Sequence, residues 1–425
     1  MTLTRKLRLA IELAARVLHR VREKRISLDL AFKEVVPPKL RIIDAGTIYR
    51  ICRGIALKYY TLREIEKRIY GTNAGFRRLV RLWLYIYASP DNVPKLWNDI
   101  ERFRRSFERS CPKPIPSIEE LVKDLDPVSR IAIELSYPRW FVEELLKVLD
   151  ERSCVELLKA LEEEIVWVRV NTLKKSIEEV ENVMKSEGYE VERDREIPYM
   201  LFIKRFTKPV HHTKLLEDLS VFFQDKASVL VVHALEPSPN DIVLDMTGAP
   251  GVKASLIMQI AGCRTYVVLC DVSRDRIARA RNLLLKALPS THSIDLLLTD
   301  STKIFARGIT KVLLDAPCSG SGTIGRDPAV KIHLEDREWV LQLASLQRKL
   351  LENALQLRRP VIYAVCSVLP LEGEEIVKPF EKYLAPLDIP GSEGYEPYPW
   401  RSLVRRFFPH IHRTHGFFVA KLVPR

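Results

Sequence analysis

Short apolar runs alternate with amphipathic segments from about residue 220 to the end of the chain. Two of those segments, VKASLIMQIA and SRDRIARARNLLLKAL, space their apolar residues as helices do. The alternation predicts an α/β fold, a doubly wound, Rossmann-like parallel sheet over residues 216–425 that binds ligands beyond the carboxyl ends of its strands. The strands are expected in the runs DIVLDM, TYVVLCD, SIDLLLTD, KVLLDAP, RPVIYAVCS and GFFVAKLV.

The first part of the chain has a different pattern. Apolar residues recur at three- and four-residue spacing from Leu7 to Val21 and in later segments, which predicts an all-α domain over residues 1–112. Alternate prolines in CPKPIPS forbid a helix and predict a linker at residues 113–117. Residues 118–215 are predicted to hold further helices and then a small, RRM-like α+β unit, which is either an RNA-binding sheet or a unit that only packs against the rest of the protein.

Positive charge is concentrated at one end of the chain. Residues 1–117 contain 26 lysines and arginines against 11 aspartates and glutamates, a formal excess of +15, while the whole chain carries +13. A basic balance confined to one region favours a partner of opposite sign, and nucleic acid is the commonest such partner. The alternative is a helical surface that is merely well solvated.

The remaining composition excludes several classes of protein. Seven cysteines are scattered without a C-x-x-C pair, so neither a disulfide framework nor a structural metal site is expected. No stretch approaches the roughly 18 uncharged apolar residues that a membrane helix needs. The amino-terminal segment MTLTRKLRLAIEL has charges on both sides of its apolar groups and does not resemble a secretion signal. We therefore expect a cytoplasmic protein without metal or membrane contact, and we assume a monomer.

Acidic and sulfur-containing side chains stand where the predicted strands end. A single aspartate at such a point is unremarkable, because aspartate caps the following helix well. A series of them along the ligand-binding edge indicates a site instead. The residues at successive strand ends are Asp245, Asp271, Asp300, Asp315 with Cys318, and Cys366 with Ser367.

The loop DMTGAPGVK after the first predicted strand is glycine-containing but is not the G-x-G-x-x-G of dinucleotide sites. Asp245 at its start would repel a pyrophosphate, whereas S-adenosylmethionine, which carries a cationic ammonium and sulfonium and no phosphate, suits an acidic rim. Asp271 is placed to bind both ribose hydroxyls. Asp300 is placed to accept from the adenine amino group.

The two cysteines point to a ring carbon as the methyl acceptor. Pyrimidine C5 is a poor nucleophile, so a thiolate must first add to C6 and push electron density onto C5. An acid must stabilise the charge at N3, and a base must later remove the C5 proton. Asp315 fits the acid, and one cysteine is available for each remaining role. The alternative is a pair of buried, inert cysteines.

Six segments of the chain carry a recognisable set of motifs: WVRVNTLK, FFQDKASVL, DMTGAPGVKAS, LLDAPCSGSGTIGRDP, YAVCSVLPLEGEE and HGFFVAKL. These segments resemble the motifs of the Sun/Nop family of RNA cytosine-C5 methyltransferases. The amino-terminal helices more loosely resemble the NusB-like RNA-binding domain that precedes the catalytic region in the bacterial 16S ribosomal RNA enzyme of that family.

The resemblance implies a role for each residue of the site. It implies that Cys366 is the nucleophile and that Cys318 assists release of the product. Asp315, assigned above to the charge at N3, completes the set of catalytic residues. The resemblance also implies a methyl-donor site formed by Thr247, Gly248, Ala249, Pro250, Gly251, Val252, Lys253, Asp271, Asp300 and Asp315.

We therefore expect an enzyme that methylates C5 of a cytidine in structured RNA, with ribosomal RNA favoured over transfer RNA on the NusB-like resemblance. One alternative is a catalytically silent, RNA-binding ribosome assembly factor, against which the paired thiols argue. Another is DNA cytosine methylation, in which the nucleophile would lie in a proline-cysteine motif and Cys366 would be idle.

Overall fold

The computed structural model describes residues 4–38, 43–206 and 213–424, without the side chain of Phe206. The chain groups into two compact units. One consists of Met1–Glu163 with Thr323–Glu338, and the other of Glu164–Gly322 with Trp339–Arg425. Within the described ranges, no helix has the length and apolar character needed to cross a membrane.

The secondary structure follows the predicted order of helices first and alternating elements later. The helices are α1 Arg5–Lys24, α2 Leu28–Val35, α3 Ala45–Leu57, α4 Tyr59–Tyr70, α5 Phe76–Ile86, α6 Trp97–Ser110, α7 Ile118–Val122, α8 Pro127–Glu134, α9 Arg139–Leu146, α10 Glu151–Ala160, α11 Ile177–Ser186, α12 Lys214–Glu217, α13 Lys226–Leu235, α14 Val252–Ile260, α15 Arg274–Ala287, α16 Ala329–His333, α17 Arg337–Gln356, α18 Glu374–Val377 and α19 Pro409–His412. The strands are β1 Trp167–Val170, β2 Tyr189–Arg193, β3 Met200–Phe206, β4 Val221–Phe223, β5 Ile242–Asp245, β6 Tyr266–Asp271, β7 Ile294–Leu298, β8 Lys311–Asp315, β9 Val361–Val365, β10 Leu384–Ala385, β11 Val404–Phe407 and β12 Phe417–Leu422.

The first unit is a helical body with one inserted segment from later in the chain. The apolar face of α1 is fully buried in its core, as the spacing from Leu7 to Val21 predicts. Ala329 and Ile332 of α16 belong to the same core. Lys331 between them has no exposed surface, donates to two backbone carbonyls and pairs with a glutamate. A buried ammonium needs such partners, so the inserted segment is an integral part of this unit.

A small antiparallel sheet opens the second unit. Its strand order is β2-β3-β1-β4, and α11 lies between β1 and β2 in the chain. The predicted strands and helix of an α+β unit are thus confirmed, and the arrangement is ferredoxin-like. Its fourth strand, β4, lies beyond residue 215. The limits of the domains stay predictions.

The large sheet of the second unit has the order β10-β12-β9-β8-β5-β6-β7, with β11 paired to β12. All five strands from β5 to β9 pair in parallel, as predicted. The predicted doubly wound sheet is therefore confirmed, and it departs from parallel pairing at one side, where β12 runs antiparallel to β9 and to β10 and β11. An antiparallel edge on a parallel sheet is common, and chain direction depends on the connection rather than on the apolar run itself.

The strand order reverses between β5 and β8. In a doubly wound sheet the chain leaves such a point toward both sides, so the loops beyond the strands separate and leave a crevice. Here β6 and β7 extend the sheet on one side of β5, while β8 and β9 extend it on the other. The predicted acidic and cysteine residues lie around this point.

Candidate active site

A cavity of about 430 Å³ lies beyond the carboxyl ends of the strands, built by the second unit alone. Three of the acidic residues sit at the predicted positions: Asp245, Asp271 and Asp315 are the last residues of β5, β6 and β8. The sequence-predicted residues that line the cavity are Thr247, Gly248, Ala249, Pro250, Val252, Lys253, Asp271, Asp300, Asp315, Cys318 and Cys366.

Gly251 is the one predicted site residue outside that lining. It precedes α14 as its N-cap with a φ of 95°, a backbone conformation that favours glycine. A Cβ atom at this position would also lie 3.2 Å from Cγ of Leu284. The residue therefore shapes the turn into α14.

Asp245 is fully buried at the floor of the cavity, and neither carboxylate oxygen has a hydrogen-bond partner among the described residues. Burial raises its pKa to about 7, because the charged form is poorly solvated. Gly248 packs directly against it: a Cβ atom there would lie 2.5 Å from Oδ2. A buried carboxylate without hydrogen-bond partners, packed against the backbone of a glycine, is suited to a ligand that brings hydrogen-bond donors or positive charge.

Asp271 is nearly fully buried and is held from two sides. Its Oδ1 accepts from the N–H of Ser273 at 2.9 Å, and its Oδ2 lies 3.3 Å from Nη1 of Arg276. Arg276 also donates to the carbonyl of Ala249, so one guanidinium joins the two loops that follow β5 and β6. Sequence reasoning missed Arg276, although its position in the first turn of α15 near a strand-end aspartate was a usable signal.

Asp300 lies two residues beyond the end of β7 and is exposed. Its Oδ1 accepts from the N–H of Thr302 at 2.9 Å and from the hydroxyl of Thr302 at 2.8 Å. These hydrogen bonds, the backbone one first, lower the pKa of the carboxyl group. The side chain is therefore fixed as an acceptor at the cavity rim.

Asp315 forms an ion pair and hydrogen bond with Lys253 of α14. Burial lowers the pKa of this ammonium, but the neighbouring groups Asp315, Asp245 and Cys366, with Asp315 first, together outweigh that effect and raise the pKa overall. Thr247 donates to the backbone carbonyl of Asp315 at 2.8 Å. The glycine loop is thus attached to the end of β8 by both contacts.

The two cysteines lie side by side, with Sγ of Cys318 3.0 Å from Sγ of Cys366. They meet because β8 and β9 are neighbours in the sheet and each cysteine follows the end of its strand. The contact with Cys366, together with burial, raises the pKa of the Cys318 thiol. At neutral pH Cys318 is accordingly held as a thiol beside its partner.

Part of the cavity wall was not predicted. Leu346 and Leu350 are four residues apart on one face of α17, and such amphipathic spacing is a signal for a buried face and not for a ligand. The other lining residues without a predicted role are Met246, Val272, Arg276, Ser301, Thr302, Ala316 and Pro317. Among the described residues, no group of three or more histidine, cysteine or acidic side chains is arranged to hold a metal ion.

Two parts of this architecture match known protein families. Residues 232–423 match the family described as 16S rRNA methyltransferase RsmB/F. Residues 137–210 match the ferredoxin-like domain of the same group, described as Methyltr_RsmF/B-like. The chain is a homologue of S-adenosylmethionine-dependent RNA cytosine-C5 methyltransferases. It belongs to the RsmB/F, or Sun/Nop, family.

Individual relatives agree with this assignment. Ribosomal RNA small subunit methyltransferase B of Vibrio vulnificus is 26% identical over 444 residues, covering 96% of this chain and 98% of that protein. The 25S rRNA (cytosine-C(5))-methyltransferase nop2 of Schizosaccharomyces pombe is 28% identical over 350 residues, covering 76% of this chain but only 56% of that protein. This chain therefore spans about half the length of the latter relative.

Among solved structures, the crystal structure of PH0851 matches with a TM-score of 0.77 and 24% identity. The match covers 100% of this chain and 99% of that one. At this level of identity the likeness shows the fold, which includes the helical region, the small sheet and the large sheet.

Proposed function

We propose that this protein transfers a methyl group from S-adenosylmethionine to C5 of a cytidine in ribosomal RNA, through a covalent adduct between Cys366 and C6. The observation that carries the proposal is the pair of sulfur atoms 3.0 Å apart in a cavity that also contains the Asp315–Lys253 ion pair. An inert pair of core cysteines has no need of a charged pair in the same cavity. The family names of the relatives support ribosomal RNA as the substrate class.

The residues of the cavity fit S-adenosylmethionine. When bound, this molecule supplies an electrophilic methyl group on a sulfonium. The unpartnered carboxylate of Asp245 suits the positive charge of S-adenosylmethionine. This molecule also has no phosphate group that the acidic residues of the cavity would repel. Asp271, oriented by Arg276, would accept from the ribose hydroxyls. Asp300 would accept from the adenine amino group.

In this proposal the chain's own residues divide the chemistry between them. The Cys366 thiolate adds to C6, and the electron pair of the C5–C6 bond becomes available at C5 to attack the methyl group. Asp315, a carboxylate hydrogen-bonded to the Lys253 ammonium, stabilises the ring when N3 carries a proton taken from solvent, so that addition at C6 leaves no negative charge there. Once Cys366 is bonded to C6, it no longer raises the pKa of Cys318, so Cys318 gives its thiol proton to solvent and takes the proton from C5 as a thiolate. The electrons of that C–H bond restore the C5–C6 double bond and expel Cys366.

The helical unit is the region proposed to hold RNA. Its helix α6 carries three exposed arginines at spacings of three and four residues, which places them on one face. A row of guanidinium groups on a helix face is well suited to successive phosphates. The three residues are Arg102, Arg105 and Arg109.

Reversing these three α6 charges to glutamate should weaken RNA binding and flatten its salt dependence. The slope of log affinity against log salt should fall by about 0.7 to 0.9 for each phosphate that the protein no longer neutralises. S-adenosylmethionine binding should stay unchanged, since every residue of the cavity lies in the other unit. Filter binding of radiolabelled RNA across a salt series measures the slope.

The matched control reverses three exposed basic residues of α15 in the second unit, Arg279, Arg281 and Lys286. It changes the net charge of the protein by the same amount. An equal loss of slope in both triple variants would show that net charge, and not the α6 face, governs binding.

The function itself is tested by incubating the protein with RNA and S-adenosylmethionine that carries a deuterated methyl group. After digestion to nucleosides, mass spectrometry should find the label in 5-methylcytidine from ribosomal RNA transcripts and little in transfer RNA. Label in N4-methylcytidine would contradict attack through C5. RNA binding without any transfer would contradict an enzyme and favour the silent assembly factor.

A further inference from the structure

A fully buried carboxylate, Glu372, lies next to the two cysteine loops outside the cavity lining. Its Oε1 accepts from the backbone N–H of Ser319 at 2.8 Å and from Nε2 of Gln347 at 3.0 Å. Its Oε2 accepts from the hydroxyl of Ser367 at 2.6 Å and from that of Ser319. Four donors from three residues therefore converge on one carboxylate.

Two of those residues are the direct neighbours of the cysteines. Ser319 follows Cys318, and Ser367 follows Cys366. One carboxylate oxygen thus accepts from a hydroxyl in each loop, which makes Glu372 a bridge between them. Through this bridge the two loops share a common anchor, one residue away from each sulfur atom.

Further hydrogen bonds fix the bridge itself. Nε2 of Gln347 also donates to the carbonyl of Pro317 at 2.8 Å, so the loop of Cys318 is held on both sides of the cysteine. The hydroxyl of Tyr363 donates to the backbone carbonyl of Glu372 at 2.6 Å. The hydroxyls of Ser321 and Ser367 lie 2.9 Å apart and join the loops a second time.

The hydrogen bonds of the network favour an ionised group at its centre. A carboxylate only accepts hydrogen bonds, and all four of its partners here donate. Burial raises the pKa of Glu372, while the serine donors oppose that shift by stabilising the charged form. Replacing the carboxylate by an amide removes the charge, and the two serine hydroxyls at Oε2 must turn and accept from the amide nitrogen. The charge-assisted hydrogen bonds that hold both loops are then lost.

We propose that Glu372 is a positioning residue that sets the separation of the two catalytic sulfur atoms by anchoring both cysteine loops. The inference rests on the proposed function, in which Cys366 and Cys318 act on the bonded atoms C6 and C5 of one ring. Two groups that serve adjacent atoms must stay close to each other through the whole reaction.

The separation of the sulfurs can be measured without RNA or methyl donor, by oxidation with diamide. The two thiols lose two protons and two electrons to the N=N bond of the reagent, and a disulfide forms. Peptide mapping by mass spectrometry then follows the Cys318–Cys366 cross-link in the full chain. Glu372→Gln should slow formation of the disulfide about tenfold or more. The two cysteine loops are then no longer held by one carboxylate, so the two sulfur atoms are in contact for a smaller fraction of the time.

The matched control is Asp225→Asn in the same unit. Asp225 is a nearly fully buried carboxylate that accepts from the N–H of Ala227 at 2.9 Å, the N–H of His415 at 3.0 Å and a threonine hydroxyl. It should lower stability by a similar mechanism and leave the cross-linking rate unchanged. Equal slowing in both variants, or none in Glu372→Gln, would overturn the proposal.

A second variant tests the proposal if the Glu372→Gln protein does not fold. Ser319→Ala removes one hydroxyl from the bridge and should slow the cross-link to a smaller extent, and an unchanged rate in it would likewise count against the bridge. In turnover assays Glu372→Gln should lower kcat with KM for both substrates unaltered. If cross-linking depends on Glu372 but no methyl transfer is found in the unaltered protein, the positioning role stands and the proposed function fails.

Discussion

The Cys318→Ala variant is expected to accumulate as a covalent complex with RNA, while Cys366→Ala forms none. Without Cys318 the C5 proton stays in place after methyl transfer, so the bond between Cys366 and C6 cannot be broken by elimination. Without Cys366 no addition begins. Denaturing electrophoresis with labelled RNA should show a shifted band for the first variant in the presence of S-adenosylmethionine, and turnover should fall below detection in both.

The matched control is Cys263→Ala, since Cys263 is also a half-buried free thiol of the second unit but lies outside the cavity lining. It should turn over normally and leave no stable complex. A stable complex with Cys366→Ala rather than with Cys318→Ala would reverse the two roles. That order would correspond to the proline-cysteine nucleophile of DNA cytosine methylation, because Cys318 follows Pro317.

The parts of this fold that depend on local pattern were predictable. The apolar runs of β5 to β9 are bounded by polar residues and turns, so both the strands and the aspartates and cysteines at their ends could be placed from the sequence. Parallel pairing then brings those ends to one edge, whatever the strand order. This is why the predicted cofactor and catalytic residues, with the exception of Gly251, line one cavity. Their individual roles stay predictions.

The parts that depend on contacts between distant residues were not predictable. The run GFFVAKLV has the same apolar character as a parallel strand, yet β12 is antiparallel because of the direction in which the chain returns from β11. Arg276 and Glu372 are ordinary charged residues in the sequence. They acquire a role through partners that are 5 to 53 residues away along the chain.

Substituting Asp315 by asparagine is expected to lower kcat by about a hundredfold to a thousandfold, the usual cost of removing one group that stabilises charge in a transition state. The loss should occur at the first addition, because N3 must carry its proton when Cys366 attacks C6. The measurement is single-turnover methyl transfer at saturating RNA and S-adenosylmethionine. Asparagine keeps the size of the side chain and removes the charge that pairs with Lys253.

The control for this substitution is Asp241→Asn, because the chain contains a second aspartate–lysine pair at the opposite ends of the same two strands. Asp241 immediately precedes β5, and its Oδ2 lies 3.0 Å from Nζ of Lys311, the first residue of β8. Losing that pair, and weakening the hydrogen bonds that Asp241 accepts from Thr310 and Ser238, should cost about 1 to 3 kcal/mol of stability, the range for hydrogen bonds to a charged group, and should leave the rate intact.

Combining Asp315→Asn with Cys318→Ala identifies the step at which Asp315 acts. If its charge is needed for addition to C6, the double variant cannot begin the adduct, and the covalent RNA complex of the single Cys318→Ala variant should disappear. If Asp315 acts only in the release of product, the complex should persist undiminished. Because the ion pair with Lys253 places Asp315 on the wall of the cavity that also contains both sulfur atoms, we expect the complex to be lost.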